Sequence, residues 1–456
     1  MQFFSTRLFS WRQIVLYASL FVGGFALVQR VLRFTCANWI TFDCPDYWPI
    51  SIFTPRVPDL TSAIVAITVI GLFFVAARWL EVRRYKLWLT VACGMLLIAG
   101  LTYIHGVQFG FYAPLSGDAQ TGVLIPISPN GQEYYHDALT VTDPAYFLGD
   151  YNEIQPTLHR HAHTHPPGAV LTFYFLQRLI GDPALISILL MMLATGGTGF
   201  FVYRLFRTEF ERDTSGYMVF LLVLLPAVEI YYLATIDAVI AALLLGVLYL
   251  FCFGRRVWSI VGAAAMLCAA FLLTFVSLFI LPVLVGFDLV VRRTVRRSAV
   301  VIGSLAAFHL ILYLGTGYDA WHSFRTASAF ENGGGFMLLT DPWNYIFTRL
   351  EDLAELAFFF GPFLSVLFVR SLRDSRLRPL DVLTMVGCLT MLAMFISGAW
   401  RTGETARACI FIYPFLLFPI ARYLERENAG PGERMQLASL VFLQSVGMQV
   451  FGNYFW

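Results

Sequence analysis

Four histidines, His159, His161, His163 and His165, alternate with other residues, and Arg160 stands among them. On an extended backbone, alternate side chains share one face at intervals of about 6.6 Å. Two chemistries fit such a row. Neutral imidazoles can gather a divalent ion, or imidazoles beside a guanidinium can donate hydrogen bonds to phosphate oxygens. Pro166 and Pro167 follow directly and keep the residue before them out of helical conformation. His165 is therefore expected at the start of the apolar stretch 169–180, and the free N–H groups of a helix start suit an anion.

Upstream, residues 131–168 carry Glu133, Asp137, Asp143, Asp150 and Glu153. Carboxylates in a loop held by a rigid scaffold are suited to general-base work, above all where partial burial raises their basicity. Asp237 stands in an apolar run, where a carboxylate is costly unless it faces water or the bundle interior. Arg401, Glu404 and Arg407 cluster in a short turn between two apolar blocks.

The elements that must position these groups are membrane helices. The 456 residues are 58% hydrophobic and only 13% charged, about half the charge of soluble domains. That excludes a soluble enzyme. Apolar blocks predict thirteen spans, near 14–28, 61–77, 87–104, 183–206, 215–232, 238–254, 258–273, 275–291, 298–315, 354–370, 380–398, 408–422 and 437–454. The run 258–291 is too long for one crossing and is divided at 274–277. Arg and Lys collect at every second junction, which predicts a cytoplasmic N-terminus; Arg30 and Arg33 run against it.

The opposite face then carries residues 34–60, the 78-residue segment 105–182 with six of the eight histidines, the segment 316–353, and the 401–406 turn. The fold class expected is an all-α polytopic bundle. Two spans occupy 1–86, a central module 87–291 bears the loop 105–182, and a third module covers 292–456 with the loop 316–353. Residues 169–180 are too few to span and are expected to lie on the membrane surface. Cys36 and Cys44 share a polar loop and can pair if it faces an oxidising compartment. A net charge of only +2 gives no reason to expect a nucleic-acid partner.

The order YYHDA, DPAYFLGDY and HTHPPGAVL, with GETARACIFIYPFLL later in the chain, resembles membrane glycosyltransferases of the GT-C type, among them protein O-mannosyltransferases, aminoarabinose transferases and bacterial proteins with an HPPG signature. The resemblance covers about 80 residues by motif. It implies a GT-C-like fold in a bacterial plasma membrane, with an extracytoplasmic site, a polyprenyl-phosphate sugar as donor, and a lipid, glycan or protein as acceptor. It also implies inverting transfer, with an acidic loop residue, Asp118, Glu133 or Asp137, as base. Arg160, His163, His165, Arg401 and Arg407 would hold the leaving phosphate, and Asp237 and Glu404 would line the cavity. A divalent ion bound by His159, His161, His163 and His165 stands as the alternative use of that row. The chain departs from the pattern in placing the acidic loop after its third span and in lacking an Asp-Glu opening there. A transporter or flippase of lipid-linked sugars is the competing reading, with Glu229, Asp237, Asp288 and His309 as its intramembrane polar groups.

Overall fold

The structure, a computed structural model, describes residues 8–39, 53–116, 130–372, 377–399 and 405–454. Asp118, Arg401, Glu404 and Cys44 lie outside the described residues, as does much of the loop 34–60. The described chain is helical apart from one short antiparallel pairing of Phe53–Pro55 with Gly452–Tyr454.

Among the described residues, seven helices are long and apolar enough to cross a membrane: Leu60–Val82, Leu87–His105, Pro183–Phe206, Ile236–Phe253, Phe275–Arg292, Arg296–Thr316 and Pro379–Ile396. Pro342–Phe360 and Pro362–Ser371 make an eighth if taken as one span bent by 100°. The bend falls at Gly361, whose φ of 91° is open to glycine and strained for other residues. Among the described residues, several of the thirteen apolar blocks are therefore shorter or interrupted helices. The block 215–232 becomes Arg212–Val223 and Pro226–Tyr231, separated where Pro226 removes a helical N–H. The block 408–422 becomes Thr405–Ala408, a tight turn at Ile410–Ile412, and Tyr413–Arg426. Val257–Leu273 has 17 residues and ends at Thr274, whose extended backbone and hydroxyl, accepting from the Val276 N–H, start the next helix.

The helix Arg212–Val223 is buried on every side from Thr214 onward, as expected for the centre of a bundle. Arg296–Thr316 lies at the periphery, with only 11% of its apolar window covered. Basic residues are tied to neighbouring carboxylates. Arg292 Nη1 lies 2.6 Å from Asp288, Arg434 Nη1 lies 2.7 Å from Asp213, and Arg422 is paired with both Glu209 and Asp381.

Candidate active-site cavity

After Leu87–His105 the chain folds into short helices, among them Asn130–Thr140 against Gly168–Ile180. Asn130–Thr140 packs on that helix, with Tyr134 stacked over Phe173 at 6.3 Å between ring centroids. Gly168, the glycine of HPPG, sits where a Cβ would come within 2.3 Å of the Leu272 carbonyl oxygen. Only glycine lets this helix cross so close to the end of Val257–Leu273.

The histidine row is not extended. Arg160–His163 is a helical turn, closed by the His163 N–H donating to the His159 carbonyl at 2.7 Å. Two carboxylates one turn apart on the preceding helix hold its start. Asp137 accepts from His159 Nδ1 at 2.7 Å and from the His159 N–H at 3.2 Å, and Glu133 accepts from the His161 N–H at 2.5 Å. Those acceptors satisfy N–H groups that a helix start leaves open, and this local satisfaction overrides the extended alternation. The row also ends before Pro166, as the steric rule on pre-proline residues requires.

Consequently the four rings diverge. His159 is half exposed beside Asp137, and His163 packs on Phe330 at 4.2 Å between centroids. His161 and His165 turn toward a cavity. Among the described residues, no group of three or more His, Cys, Asp or Glu side chains is arranged to hold a metal ion.

That cavity has a volume of about 620 Å³. Its polar lining includes Tyr134, Arg160, His161, His165, Asp237 and Arg407, with Glu331 and Asn332 from the segment 316–353. Its apolar lining includes Phe275, Phe279, Leu281, Pro282 and Met394. Asp237 is in the first turn of Ile236–Phe253, and its Oδ2 lies 3.4 Å from Arg407 Nε. Residues far apart in sequence are thus brought to one hollow. Glu133, Asp137 and His163 do not line it.

Burial decides the protonation of these groups. Asp137 is raised above the usual carboxylate range by desolvation, and its bonds with His159 oppose the shift. His161 is held well below the usual imidazole value by burial, with Arg407 adding repulsion, and His165 is lowered to about 4, again first by burial. His165 Nδ1 stands 2.8 Å from the His161 carbonyl oxygen. A carbonyl only accepts, so Nδ1 carries the hydrogen and neutral His165 keeps Nε2 as an acceptor. It can receive a hydroxyl hydrogen but cannot donate from Nε2 to phosphate. Arg160 and Arg407 are the guanidinium donors among the described residues that line the cavity.

Two buried side chains lock the histidine turn to the segment 316–353. Tyr151 Oη donates to the carbonyls of Ala162 at 3.0 Å and His165 at 2.6 Å, and Gln155 Nε2 donates to those of His163 at 2.7 Å and Ser323 at 3.2 Å. Asn152 and the Asp319 backbone exchange two bonds of 2.8 Å. Sequence reasoning passed over Glu331 and Asn332; their only mark was a polar pair just before three glycines.

Two smaller hollows follow the cavity along Pro379–Ile396. One of about 380 Å³ shares Pro282, Thr390, Met394 and Ser397 with it, and another of about 440 Å³ shares Leu389 with the second. Asp381, Met385, Leu389, Ala393 and Ser397, every fourth residue of that stretch, line the series. At about 1.5 Å rise per residue this row is roughly 24 Å long.

Comparison of the chain with protein-family models gives no match, and comparison with curated proteins gives none either.

Proposed function

We propose that the protein is a membrane glycosyltransferase that moves a sugar from a polyprenyl-phosphate donor to a hydroxyl-bearing lipid, glycan or protein. The observation that carries this reading is a cavity whose lining combines two guanidinium groups, Arg160 and Arg407, and two carboxylates, Asp237 and Glu331, with apolar side chains, and which shares residues with hollows along Pro379–Ile396. A lipid phosphate has that same division of character. Arg suits the phosphate because its fork matches paired oxygens.

In this reading Asp237 takes over the base role first assigned to Asp137, Asp118 or Glu133. It removes the proton of the acceptor hydroxyl, whose oxygen bonds to the anomeric carbon on the face opposite the phosphate. The carbon–oxygen bond to phosphate breaks, and its electron pair leaves on the polyprenyl phosphate, neutralised by Arg160 and Arg407. His165 Nε2 accepts a hydroxyl hydrogen and orients the group that carries it. The GT-C-like arrangement, with the shorter and broken helices completing thirteen crossings, a cytoplasmic N-terminus and an extracytoplasmic cavity in a bacterial plasma membrane, belongs to the same proposal.

The test is incubation of the purified protein with radiolabelled polyprenyl-phosphate sugars, with and without a chelator, assaying release of polyprenyl phosphate. Release that needs an added acceptor is expected, and the chelator arm decides whether a divalent ion takes part. The hollows along Pro379–Ile396 also favour a second reading, passage of a lipid-linked sugar across the membrane. Movement of labelled lipid between the leaflets of proteoliposomes with no release of polyprenyl phosphate would replace the transferase by that carrier.

A further inference from the structure

The helix Pro342–Phe360 carries Tyr345, Arg349, Asp352 and Glu355 at spacings of four, three and three residues, which puts them on one helical face. Asp352 and Glu355 are 1% and 0% exposed. Charges so buried are retained only where specific partners satisfy them.

The partners lie on two separate pieces of the cavity wall. Toward the end of Pro379–Ile396, Tyr345 Oη donates to the Ile396 carbonyl, and Arg349 Nη1 donates to the carbonyls of Phe395, at 2.7 Å, and Ala399. These carbonyls sit at and just beyond a helix C-terminus, where a cation is favoured. Toward Thr405–Ala408, Asp352 accepts from the Thr405 hydroxyl, while the two oxygens of Glu355 accept from the N–H groups of Thr405 at 3.2 Å and Ala406 at 3.3 Å. Arg349 and Asp352 join the two halves through an ion pair of 3.2 Å.

We propose that this face of Pro342–Phe360 is a clamp that sets the position of Arg407 in the cavity and thereby the affinity for the donor phosphate. Glu355 and Asp352 are positioning residues: they hold the two residues before Arg407, and Arg349 and Tyr345 hold the stretch that leads into Ser397–Ala399, which lines the same cavity. The phosphate half of this inference rests on the donor reading above, whereas the clamp itself does not.

Two measurements separate the halves. The first needs no ligand. Cys409 is 0% exposed and its N–H closes the same turn on the Thr405 carbonyl at 2.8 Å. In a protein whose other six cysteines are replaced, labelling of Cys409 by N-ethylmaleimide should accelerate several-fold when Glu355→Gln puts an NH2 group where an N–H needs an acceptor, and again in Thr405→Val. An unchanged rate in both variants overturns the clamp, whatever the protein binds.

The second measures binding of a short-chain polyprenyl phosphate. Glu355→Gln should weaken it about tenfold or more, as expected for losing a bond to a charged acceptor. In an Arg407→Ala background the same change should add no further loss, since the clamp acts through Arg407. Independent, additive losses would reduce Glu355 to a general structural role and overturn the positioning assignment. Accelerated labelling with no binding by the wild type would overturn the donor reading and leave the clamp in place.

Discussion

Arg407 Nε and Asp237 Oδ2 lie 3.4 Å apart in the cavity, with side chains only 7% and 16% exposed. The two residues are 170 positions apart, and the pairing joins the first turn of Ile236–Phe253 to the turn Thr405–Ala408. An ion pair so shielded from water is loosened most readily by a competing charge. In the proposed reaction the donor phosphate would supply one, drawing the guanidinium toward itself and leaving the carboxylate to take a proton.

The first prediction follows from that exchange. Asp237→Asn should lower turnover by about 10² or more while leaving donor affinity nearly intact, as for loss of a general base. Arg407→Lys should weaken donor binding instead, because an ammonium lacks the paired geometry. Asp137→Asn should keep turnover within a few-fold, since Asp137 holds His159 rather than lining the cavity. Steady-state kinetics on the three variants check this, and a loss of turnover in Asp137→Asn matching that in Asp237→Asn would return the base to the loop.

Gly168→Ala is predicted to destabilise the fold. The added methyl would stand 2.3 Å from a backbone oxygen, Leu272 O, which cannot swing away as a side chain would. Overpacking of this kind costs about 1–3 kcal/mol. Thermal unfolding in detergent should show a lower midpoint than the wild type, and an unchanged midpoint would mean that the two helices separate freely.

What the sequence made legible divides by the range of the interactions. Apolar blocks and the helix break at Thr274 are local, and they could be read directly. Arg160, His165, Asp237 and Arg407 were legible as chemistry, because each is a costly or unusual group in its setting. The histidine row misled, because its fate rests on Asp137 and Glu133 accepting from His159 and His161, bonds across more than twenty residues. The face of Tyr345, Arg349, Asp352 and Glu355 had helical spacing in plain view, yet the residues before 354 read as loop. Their partners at 395–406 are about fifty positions away, and no periodicity records such a pairing. The thirteen apolar blocks and the seven long helices among the described residues differ for a simpler reason: hydropathy totals apolar residues and does not register where Pro226 or Gly361 interrupts them.

The third prediction concerns acid. His165 titrates near 4 in the folded protein and near its ordinary value of 6.5 when unfolded, so the unfolded chain binds more protons between those limits. Stability should be full above about pH 6.5 and decline as pH falls toward 4. His161 pulls the same way; Asp137, shifted upward, opposes it in the lower part of the window. Charged and titratable neighbours of His165 are Arg407, His161 and Tyr134. Unfolding midpoints measured from pH 7.5 to 4.5 should fall less steeply for His165→Gln, which keeps a donor for the His161 carbonyl and does not titrate. Parallel curves for the two proteins would remove His165 as a source of the acid sensitivity.

The last prediction tests the apolar hollows along Pro379–Ile396. Ala393 lines the middle hollow, between Leu389, which also lines the third, and Ser397, which also lines the main cavity. Ala393→Trp would place an indole in the narrowest of the three volumes, about 380 Å³, without touching the polar lining at Arg160, Asp237 and Arg407. If the donor's hydrocarbon chain lies in this row, the bulk should displace the chain beyond that point. Each buried CH2 contributes about 0.8 kcal/mol, so excluding even two of them weakens binding by roughly tenfold. A donor whose chain is too short to reach residue 393 should bind the variant and the wild type alike. The measurement is donor affinity as a function of chain length in both proteins. Equal loss at every length would assign the effect to a general distortion of the helix, and no loss at any length would place the chain outside the row.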